Sequence, residues 1–280
     1  MTDINKIPSQ IRRDIVRMVH AVQSGHPGGS LGTVEFFTAL FFEMLQDIHP
    51  ENFKMESTGE DTFILSNGHI TPVYYSTLAR RGFFPVQELS TFRKLGSRLQ
   101  GHPSTHDGLP GIRIASGSLG QGLSVALGIA QGKKINQDNH LVYTLHGDGE
   151  LQEGQIWEAI LYAGAKGIDN IIATVDYNNA QIDGKVDDVL SLGNLKAKFE
   201  AFNWEVVDIK NGNNLDEVIT GLKQAKNLTG KGKPVAVLLH TRMGYGVDFM
   251  EGDYRWHGKP LNDEQLEKAL QQLPETLGDY

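Results

Sequence analysis

Short apolar runs alternate with helix-like patterns along the chain, and this alternation predicts the fold. Leu141–Leu145, Ile171–Val175 and Pro234–His240 are continuous apolar runs of strand length. Trp204–Ile209 and Asp61–Leu65 are two further candidates for strands. Because helical segments separate these runs, we expect an α/β fold with a parallel sheet of about five strands and helices on both faces.

Apolar residues spaced three and four positions apart predict the helices. The predicted helices are Ile4–Gln23, Val34–Leu45, Thr71–Arg81, Pro85–Phe92, 122–135, Gln152–Ala165, Leu195–Asn203, Leu215–Ala225 and Asp263–Gln272. Thr33 is expected to cap the second helix after a loop at Ser24–Gly32. Two helices are expected to bury one face, formed by Ile156, Trp157, Ile160, Leu161 and Ala165 in one and by Val125, Ala126, Ile129 and Ala130 in the other.

The pattern contains neither an internal repeat nor a low-complexity linker, so we expect a single domain over residues 1–280. A loop and a last helix at about residues 243–280 form its predicted tail. The net charge of −8 argues against nucleic acid or an anionic membrane as a partner. The sequence has no apolar run long enough to span a bilayer, and its start lacks the apolar centre of a signal peptide. A cytoplasmic location is therefore expected. With no cysteine, the sequence excludes thiolate nucleophiles and disulfides.

Polar residues follow two of the predicted strands. Asp148 lies in a Gly147-Asp148-Gly149 turn after the first, and Asn178 follows the second about thirty residues later. In a βαβ unit, both side chains lie at the carboxyl edge of the sheet, and their oxygens suit Mg²⁺ or Ca²⁺. The flanking glycines and the following helix favour a phosphate. The turn alone fits a simple strand ending, but together with Asn178 it favours a seat for a metal-bridged diphosphate.

Four of the ten histidines lie beside glycines in predicted loops, namely His26, His69, His102 and His257. Any one of them fits a structural role. Four together, at loops near a diphosphate seat, favour a function, because imidazole donates and accepts protons near neutral pH. The glycines of GSLGQG at 117–122 are not in the order of a dinucleotide-binding motif, so we do not expect a dinucleotide site.

The GDG turn with its later Asn resembles the thiamine-diphosphate motif. Its surroundings, GELQEGQIWEA and DYNNAQIDG, are similar to those of transketolases, and SGHPG, SNGH, GHP, GSLGQG and WHGKP occur in the order found in that family. The resemblance implies thiamine diphosphate as the cofactor, with Mg²⁺ or alternatively Ca²⁺ or Mn²⁺. The implied metal ligands are the side chains of Asp148 and Asn178 and the backbone carbonyl of Ala180.

The resemblance also assigns the other candidate residues. It implies contacts with the cofactor from His69, Gly117, Ser118, Leu119, Gly147, Gly149, Glu150, Asn178, Ile182 and His257. It places His26, His102 and His257 at the sugar hydroxyls, where they take part in proton transfer. The implied reaction transfers a two-carbon ketol unit from a ketose phosphate to an aldose phosphate. Which ketose and which aldose the enzyme uses stays open.

The chain departs from the family in two ways. Some transketolases have a Lys where Met243 stands, so the cofactor contact of that Lys is absent or replaced here. The single-chain members are also more than twice as long, and their second domain activates the cofactor's aminopyrimidine. The resemblance therefore implies the N-terminal subunit of a split transketolase, active only with a C-terminal, pyrimidine-domain subunit in a heterotetramer with two copies of each.

Three alternatives remain open. A deoxyxylulose-phosphate synthase shares the GDG–Asn arrangement but does not usually carry GSLGQG. The α chain of a 2-oxo-acid dehydrogenase has less use for His26 and His102. A subunit that only holds the cofactor needs neither these two histidines nor His257.

Overall fold

The computed structural model describes residues 3–280 and contains one parallel sheet. Its strands are β1 (Thr62–Leu65), β2 (Val142–Gly147), β3 (Ile171–Asp176), β4 (Glu205–Ile209) and β5 (Val235–Leu239). All neighbouring strands are parallel, and their order is β1-β2-β3-β5-β4. The predicted five-stranded α/β fold is confirmed.

Ten α-helices surround this sheet among the described residues. They are α1 (Ile7–Ala21), α2 (Pro27–Gly32), α3 (Val34–Ala39), α4 (Thr71–Arg81), α5 (Gly122–Ile135), α6 (Gly154–Lys166), α7 (Val186–Leu190), α8 (Leu195–Ala201), α9 (Leu215–Leu228) and α10 (Asp263–Gln272). Single turns of 3₁₀-helix lie at Ile4–Lys6, Pro50–Asn52, Val86–Thr91, Gly149–Gln152 and Tyr254–Trp256, and a π-helical turn extends α3 over Leu40–Met44. No helix among residues 3–280 is long and apolar enough to cross a membrane.

The two faces of the sheet bury separate cores. Along β5, Val235, Val237 and Leu239 pack with α1, α3, α4 and α9, whereas Ala236 and Leu238 pack with α5, α6 and α8 on the other face. This alternation is the consequence of side chains pointing to opposite faces along a strand. Helices on both faces leave the carboxyl edge of the sheet as the place where loops gather.

The segment expected to be a loop at Ser24–Gly32 is partly helical, whereas Thr33 stands at the N-cap position of α3 as expected. Pro27 begins α2, as its fixed φ angle allows in a first helical turn. The Thr33 hydroxyl donates back to the Gly29 carbonyl at 2.9 Å and makes no capping bond to α3. Because α2 begins at Pro27, His26 lies at the N-terminus of that helix.

The buried faces expected for α5 and α6 are wrong in part. Ile156 and Ile160 are buried, but Leu161 is exposed and Trp157 is only partly covered. Small residues decide the orientation of α6, since a side chain at Gly164 would collide with the Phe202 carbonyl. Ala165 in α6 and Val125 in α5 also face outwards, whereas Ile129 in α5 is half-buried against the core.

His140 connects the start of β2 to two carboxylates. Its Nδ1 lies 2.6 Å from Asp138 Oδ1, and its Nε2 lies 2.9 Å from Asp47 Oδ2. Burial lowers the pKa of His140, but the hydrogen bonds to Asp47 and Asp138 outweigh it, so the pKa is raised above its ordinary value. The protonated imidazole therefore stabilises the folded chain.

We expect His140→Gln to destabilise the chain more at pH 5.5 than at pH 8.5. A raised histidine pKa contributes stability that is complete below the ordinary pKa and lost as pH rises through the folded value. Denaturant unfolding at both pH values should show a difference of about 0.5 kcal/mol, because solvent screens this partly exposed group. His106→Gln, at an exposed loop position, is the control and should show no such difference. An equal loss for His140→Gln at both pH values would contradict the prediction.

Candidate functional site

The candidate site begins where two neighbouring strands end. Gly147 in β2 pairs with Asp176 in β3, so the residues after both strands emerge at one edge of the sheet. Asp148 follows β2, and its Oδ1 accepts a hydrogen bond from the Gly149 amide at 2.8 Å. Its Oδ2 accepts from the Asn179 amide at 2.5 Å, beyond the end of β3. The Asp148 carboxyl group therefore joins the two strand ends directly.

Asn178 lies at the same edge and is held by its neighbours. Its side-chain nitrogen donates to Asp176 Oδ2 at 2.8 Å, and its side-chain oxygen accepts from the Ala180 amide at 2.8 Å. Asp148, Asn178 and Ala180 line one cavity, so the structure brings the three residues predicted as metal ligands together. Residues 3–280 contain no cluster of three or more acidic or histidine side chains able to hold a metal.

Asp176 is a second buried carboxyl group at this edge, and it was not among the residues predicted from the sequence. Burial raises the pKa of Asp148 to about 8, with a further contribution from the charge of Asp176. Burial also raises the pKa of Asp176 to about 7, although hydrogen bonds from Thr241 and Asn178 oppose the shift. A low-dielectric site disfavours two neighbouring negative charges, and a bound cation favours them. The edge is therefore suited to a cation near neutral pH.

A cavity of about 310 Å³ opens beside these carboxyl groups. Most of the predicted site residues line it, namely His26, His69, Gly117, Leu119, Gly147, Asp148, Gly149, Glu150, Asn178, Ala180, Ile182 and His257. Ser118 is exposed between two lining residues and does not line the cavity itself. His102 lies behind Gly117, where a Cβ atom would come within 2.5 Å of His102 Cδ2. The φ of 127° at Gly117 also favours glycine.

The four loop histidines form one cluster. The ring centroid of His26 lies 5.0 Å from that of His69, 5.5 Å from His257 and 6.4 Å from His102. Burial, followed by the neighbouring His257, lowers the pKa of His26 to about 4. Burial also lowers the pKa values of His69, His102 and His257. The cluster is therefore neutral at pH 7, with ring nitrogens free to accept or donate.

Glu150 connects two of the loops that surround the cavity to the end of β2. Its carboxylate accepts hydrogen bonds from the Ser66 hydroxyl after β1, from the Gly120 amide at 2.9 Å and from the Gly147 amide at 3.1 Å. Burial raises the pKa of Glu150, but interactions with His146, Ser66 and Gly120 outweigh it, so the pKa falls below its ordinary value. Glu150 is therefore ionised, and it positions loops as well as lining the cavity.

Several lining residues were not predicted from the sequence. They are Gly29, Asn67, Ile70, Gln152, Glu153, Asp176, Gln181 and Met243. Two of them carried a usable signal, because Asp176 ends a predicted strand and Asn67 follows another, and both positions lie at the carboxyl edge. Met243 stands at the position where some transketolases have a Lys. It is buried and places an apolar side chain against Gly28. The remaining residues lie in segments that meet only through the tertiary fold.

Four buried polar atoms at the cavity have no hydrogen-bond partner in the described part of the chain. They are Asn67 Oδ1, His26 Nδ1, His257 Nδ1 and Gln181 Oε1. Buried polar atoms are almost always bonded in folded proteins. Their concentration around one cavity, next to two carboxyl groups, indicates a polar ligand that supplies the missing partners.

Comparisons with known proteins agree with this geometry. The family described as transketolase, thiamine diphosphate binding domain, matches residues 4–276. The 6-deoxy-6-sulfo-D-fructose transketolase subunit SqwG of Clostridium sp. (strain MSTE9) is 37% identical over 97% of this chain and 96% of its own length. An apulose-4-phosphate transketolase subunit of Phocaeicola vulgatus is 35% identical over 95% of this chain and 92% of its own.

A solved structure extends the comparison to the fold. Transketolase from Leishmania mexicana superposes with a TM-score of 0.89 at 28% identity, over 98% of this chain but 41% of that chain. The fold and the family match thus define the class as thiamine-diphosphate-binding α/β proteins. Within that class, the chain belongs to the transketolase family. The resemblance to the N-terminal subunit of a split transketolase is confirmed, and the three alternatives are not favoured.

We expect Asp148→Asn to make the ligand-free chain more stable than the wild type at pH 8, by roughly 1–2 kcal/mol. The raised pKa means that the folded chain retains a proton that the unfolded chain has lost. The contribution of the Asp148 carboxyl group to the stability of the folded chain therefore decreases from about pH 4 to pH 8. Urea unfolding with a chelator present measures the difference.

Asp208→Asn provides a control of opposite sign. Hydrogen bonds from Lys210 and His240 outweigh the effect of burial and lower the pKa of Asp208, so removing its charge should destabilise the chain at pH 8. A loss of stability in Asp148→Asn at pH 8 would mean that the Asp148 carboxylate is ionised and well paired without a cation.

Proposed function

We propose that this chain supplies the diphosphate-binding half of a transketolase active site and that its bound cofactor includes a divalent metal, preferably Mg²⁺. One observation supports the proposal above all. The two carboxyl groups at the ends of β2 and β3 and three of the four neutral histidines, His26, His69 and His257, face the same cavity, which is lined by unpartnered polar atoms. We further propose that residues 1–280 act as a single diphosphate-binding domain.

The residues present fit such a group. Asp148 and Asn178 offer side-chain oxygens and Ala180 offers its carbonyl, which are the hard donors that Mg²⁺, Ca²⁺ and Mn²⁺ take. Because the protein offers few ligands, diphosphate oxygens and water would complete the coordination. Gly149 leaves space beside Gln181, where a Cβ atom would stand 3.2 Å from the Gln181 side chain. A cation there would also relieve the repulsion between the carboxyl groups of Asp148 and Asp176.

Thiamine diphosphate, when bound, supplies the carbanion and the electron sink needed to break and form a carbon–carbon bond. The chain's own histidines orient the sugar and move protons. His26 and His257 each have an unpartnered Nδ1, and their neutral rings can accept a hydroxyl proton and return it. His102 does not line the cavity itself, but its ring centroid lies 6.4 Å from that of His26, and we propose that it holds a second hydroxyl. His69 lines the cavity with His257, 5.0 Å away.

A second polypeptide is part of the proposal. The chain spans 41% of the Leishmania transketolase, whereas its relatives of similar length are named as subunits. We propose a C-terminal, pyrimidine-domain partner and self-association within a heterotetramer. A cytoplasmic location remains an expectation based on composition.

The substrate class follows from the chemistry of the relatives. Their names specify 6-deoxy-6-sulfo-D-fructose and apulose 4-phosphate, both sugars with an anionic group at the end. We propose a ketose with a terminal phosphate or sulfonate as donor, and sugar-phosphate metabolism as the setting, with the pentose phosphate pathway as one case. The partner subunit carries the groups that bind the anion in this proposal.

Reconstitution tests the proposal directly. We expect the isolated chain, supplied with thiamine diphosphate and Mg²⁺, to transfer no ketol group. Addition of the C-terminal subunit should generate activity that EDTA removes and Mg²⁺ restores, with xylulose 5-phosphate and ribose 5-phosphate as probes. Full activity of the isolated chain would overturn the division of the active site between two polypeptides. An assembled complex that binds the cofactor but transfers no ketol group from any anionic ketose would overturn the proposed reaction.

We expect His26→Ala to lower kcat of the reconstituted complex by about a hundredfold or more while cofactor binding stays within a few-fold. The reason is that the ring at this position accepts and returns a proton of the sugar. His49→Ala, at a position before the Pro50–Asn52 turn, is the matched control and should retain activity. Unchanged turnover in His26→Ala would indicate a subunit that only holds the cofactor.

A further inference from the structure

Arg93 lies next to the histidine cluster but does not line the cavity. It follows the 3₁₀ turn at Val86–Thr91 and adopts φ of 55°, in the left-handed region that residues with a side chain rarely occupy. Such a conformation costs free energy and persists only where surrounding contacts require it. We therefore expect the contacts of Arg93 to compensate for the cost of its backbone conformation.

The Arg93 side chain spans the two loops that carry His26 and His102. Its Nη1 donates to the Ser24 hydroxyl at 3.1 Å, two residues before His26. Its guanidinium also lies against Gly101, immediately before His102. A Cβ atom at position 101 would stand 2.6 Å from Nη2, so the guanidinium occupies space that the glycine leaves open. One side chain therefore fixes both loops relative to each other.

The charge of Arg93 has no carboxylate partner within residues 3–280. Its neighbour Arg98, by contrast, makes a two-pronged ion pair with Glu88 at 2.8 and 2.9 Å. Arg93 Nε is buried and unpartnered, and the guanidinium carbon lies 5.6 Å from the centroid of the Phe92 ring. Keeping an unpaired cation partly buried is unfavourable, and burial lowers the pKa of Arg93. The unpaired charge of Arg93 can therefore act on the pKa values of neighbouring titratable side chains.

The titratable side chains on which the charge of Arg93 acts are the imidazoles of His26 and His102. Besides burial, the positive charge of Arg93 lowers the pKa values of both His26 and His102. His69 and His257 are the other titratable groups around His26, and Asp183 acts on His257 with the opposite sign. No carboxylate contributes to the shift at His26 or His102, so the fixed cation acts there without opposition.

We propose that Arg93 is a positioning residue, which holds the Ser24–His26 and Gly101–His102 loops together and keeps a fixed positive charge behind the two imidazoles. Arg93 thereby keeps His26 and His102 neutral and aligned. The electrostatic part concerns this chain alone. The kinetic part rests on the proposed transketolase function.

Histidine titration in the isolated chain tests the electrostatic part. The NMR signals of the His26 and His102 rings are followed between pH 3.5 and 8.5 in the wild type and in Arg93→Met, assigned with His26→Asn and His102→Asn. We expect both midpoints to rise in Arg93→Met by about half a pH unit or more. Arg81→Met is the matched control, because Arg81 also lacks a carboxylate partner within residues 3–280 but bonds the Phe41 carbonyl instead. It should leave both midpoints unchanged.

A second neutral variant keeps the test valid if Arg93→Met folds poorly. Arg93→Gln retains a donor for the Ser24 hydroxyl but carries no charge, so we expect the same upward shift. Arg93→Lys retains the charge and should keep both midpoints near the wild-type values. Unchanged midpoints in a folded neutral variant would overturn the proposal.

Kinetics of the reconstituted complex separate geometry from charge. We expect Arg93→Lys to lower kcat/KM by about tenfold without moving the acidic limb of the pH profile, because an ammonium group cannot replace the planar contact with Gly101. Neutral variants should lower kcat/KM and also move that limb to higher pH. If Arg93→Lys and Arg93→Gln had the same pH profile, the electrostatic role would be excluded. Shifted histidine midpoints in a complex without ketol transfer would overturn the proposed function and leave the role of Arg93 intact.

Discussion

The arrangement of the site depends on the parallel pairing of β2 with β3. That pairing places Gly147 opposite Asp176, so Asp148 and Asn178 leave adjacent strands at one edge. The same register buries two carboxyl groups close together, and neither gains a cationic side chain as partner among the described ion pairs. Buried like charges are unfavourable unless a cation intervenes. Strand register, a property of the backbone, thus determines an electrostatic requirement that a retained proton or a bound cation must meet.

The loops around this edge are connected to one another as well as to the sheet. Glu150 receives hydrogen bonds from two of them and from the end of β2, and Arg93 connects the two that carry His26 and His102. Both charged side chains face inwards and are positioned by backbone amides, hydroxyls or glycines. Rigid placement of this kind limits the motion of a binding group and so strengthens its effect in the transition state.

Sequence patterns were sufficient for the sheet and for most of the site. The five strands are apolar runs, and Asp148 and Asn178 could be placed because each follows such a run. Leu161 and Val125 were misjudged, because a helical pattern cannot tell whether a neighbouring helix approaches closely or leaves a face open. Arg93 carries no local signal at all. Its contacts are with two loops that meet only in the folded chain, so the spacing of residues along the sequence does not predict them.

The unpartnered polar atoms around the cavity also affect the fate of the protein in the cell. Asn67, Gln181, His26 and His257 each bury one polar atom that no described protein group bonds, and a buried polar atom left unbonded costs free energy. A ligand that supplies those partners stabilises the folded chain by about 2.7 kcal/mol at a concentration one hundred times its Kd. Proteases act on the unfolded fraction, which a bound ligand reduces. The supply of thiamine diphosphate would therefore govern the lifetime of the protein as well as its activity.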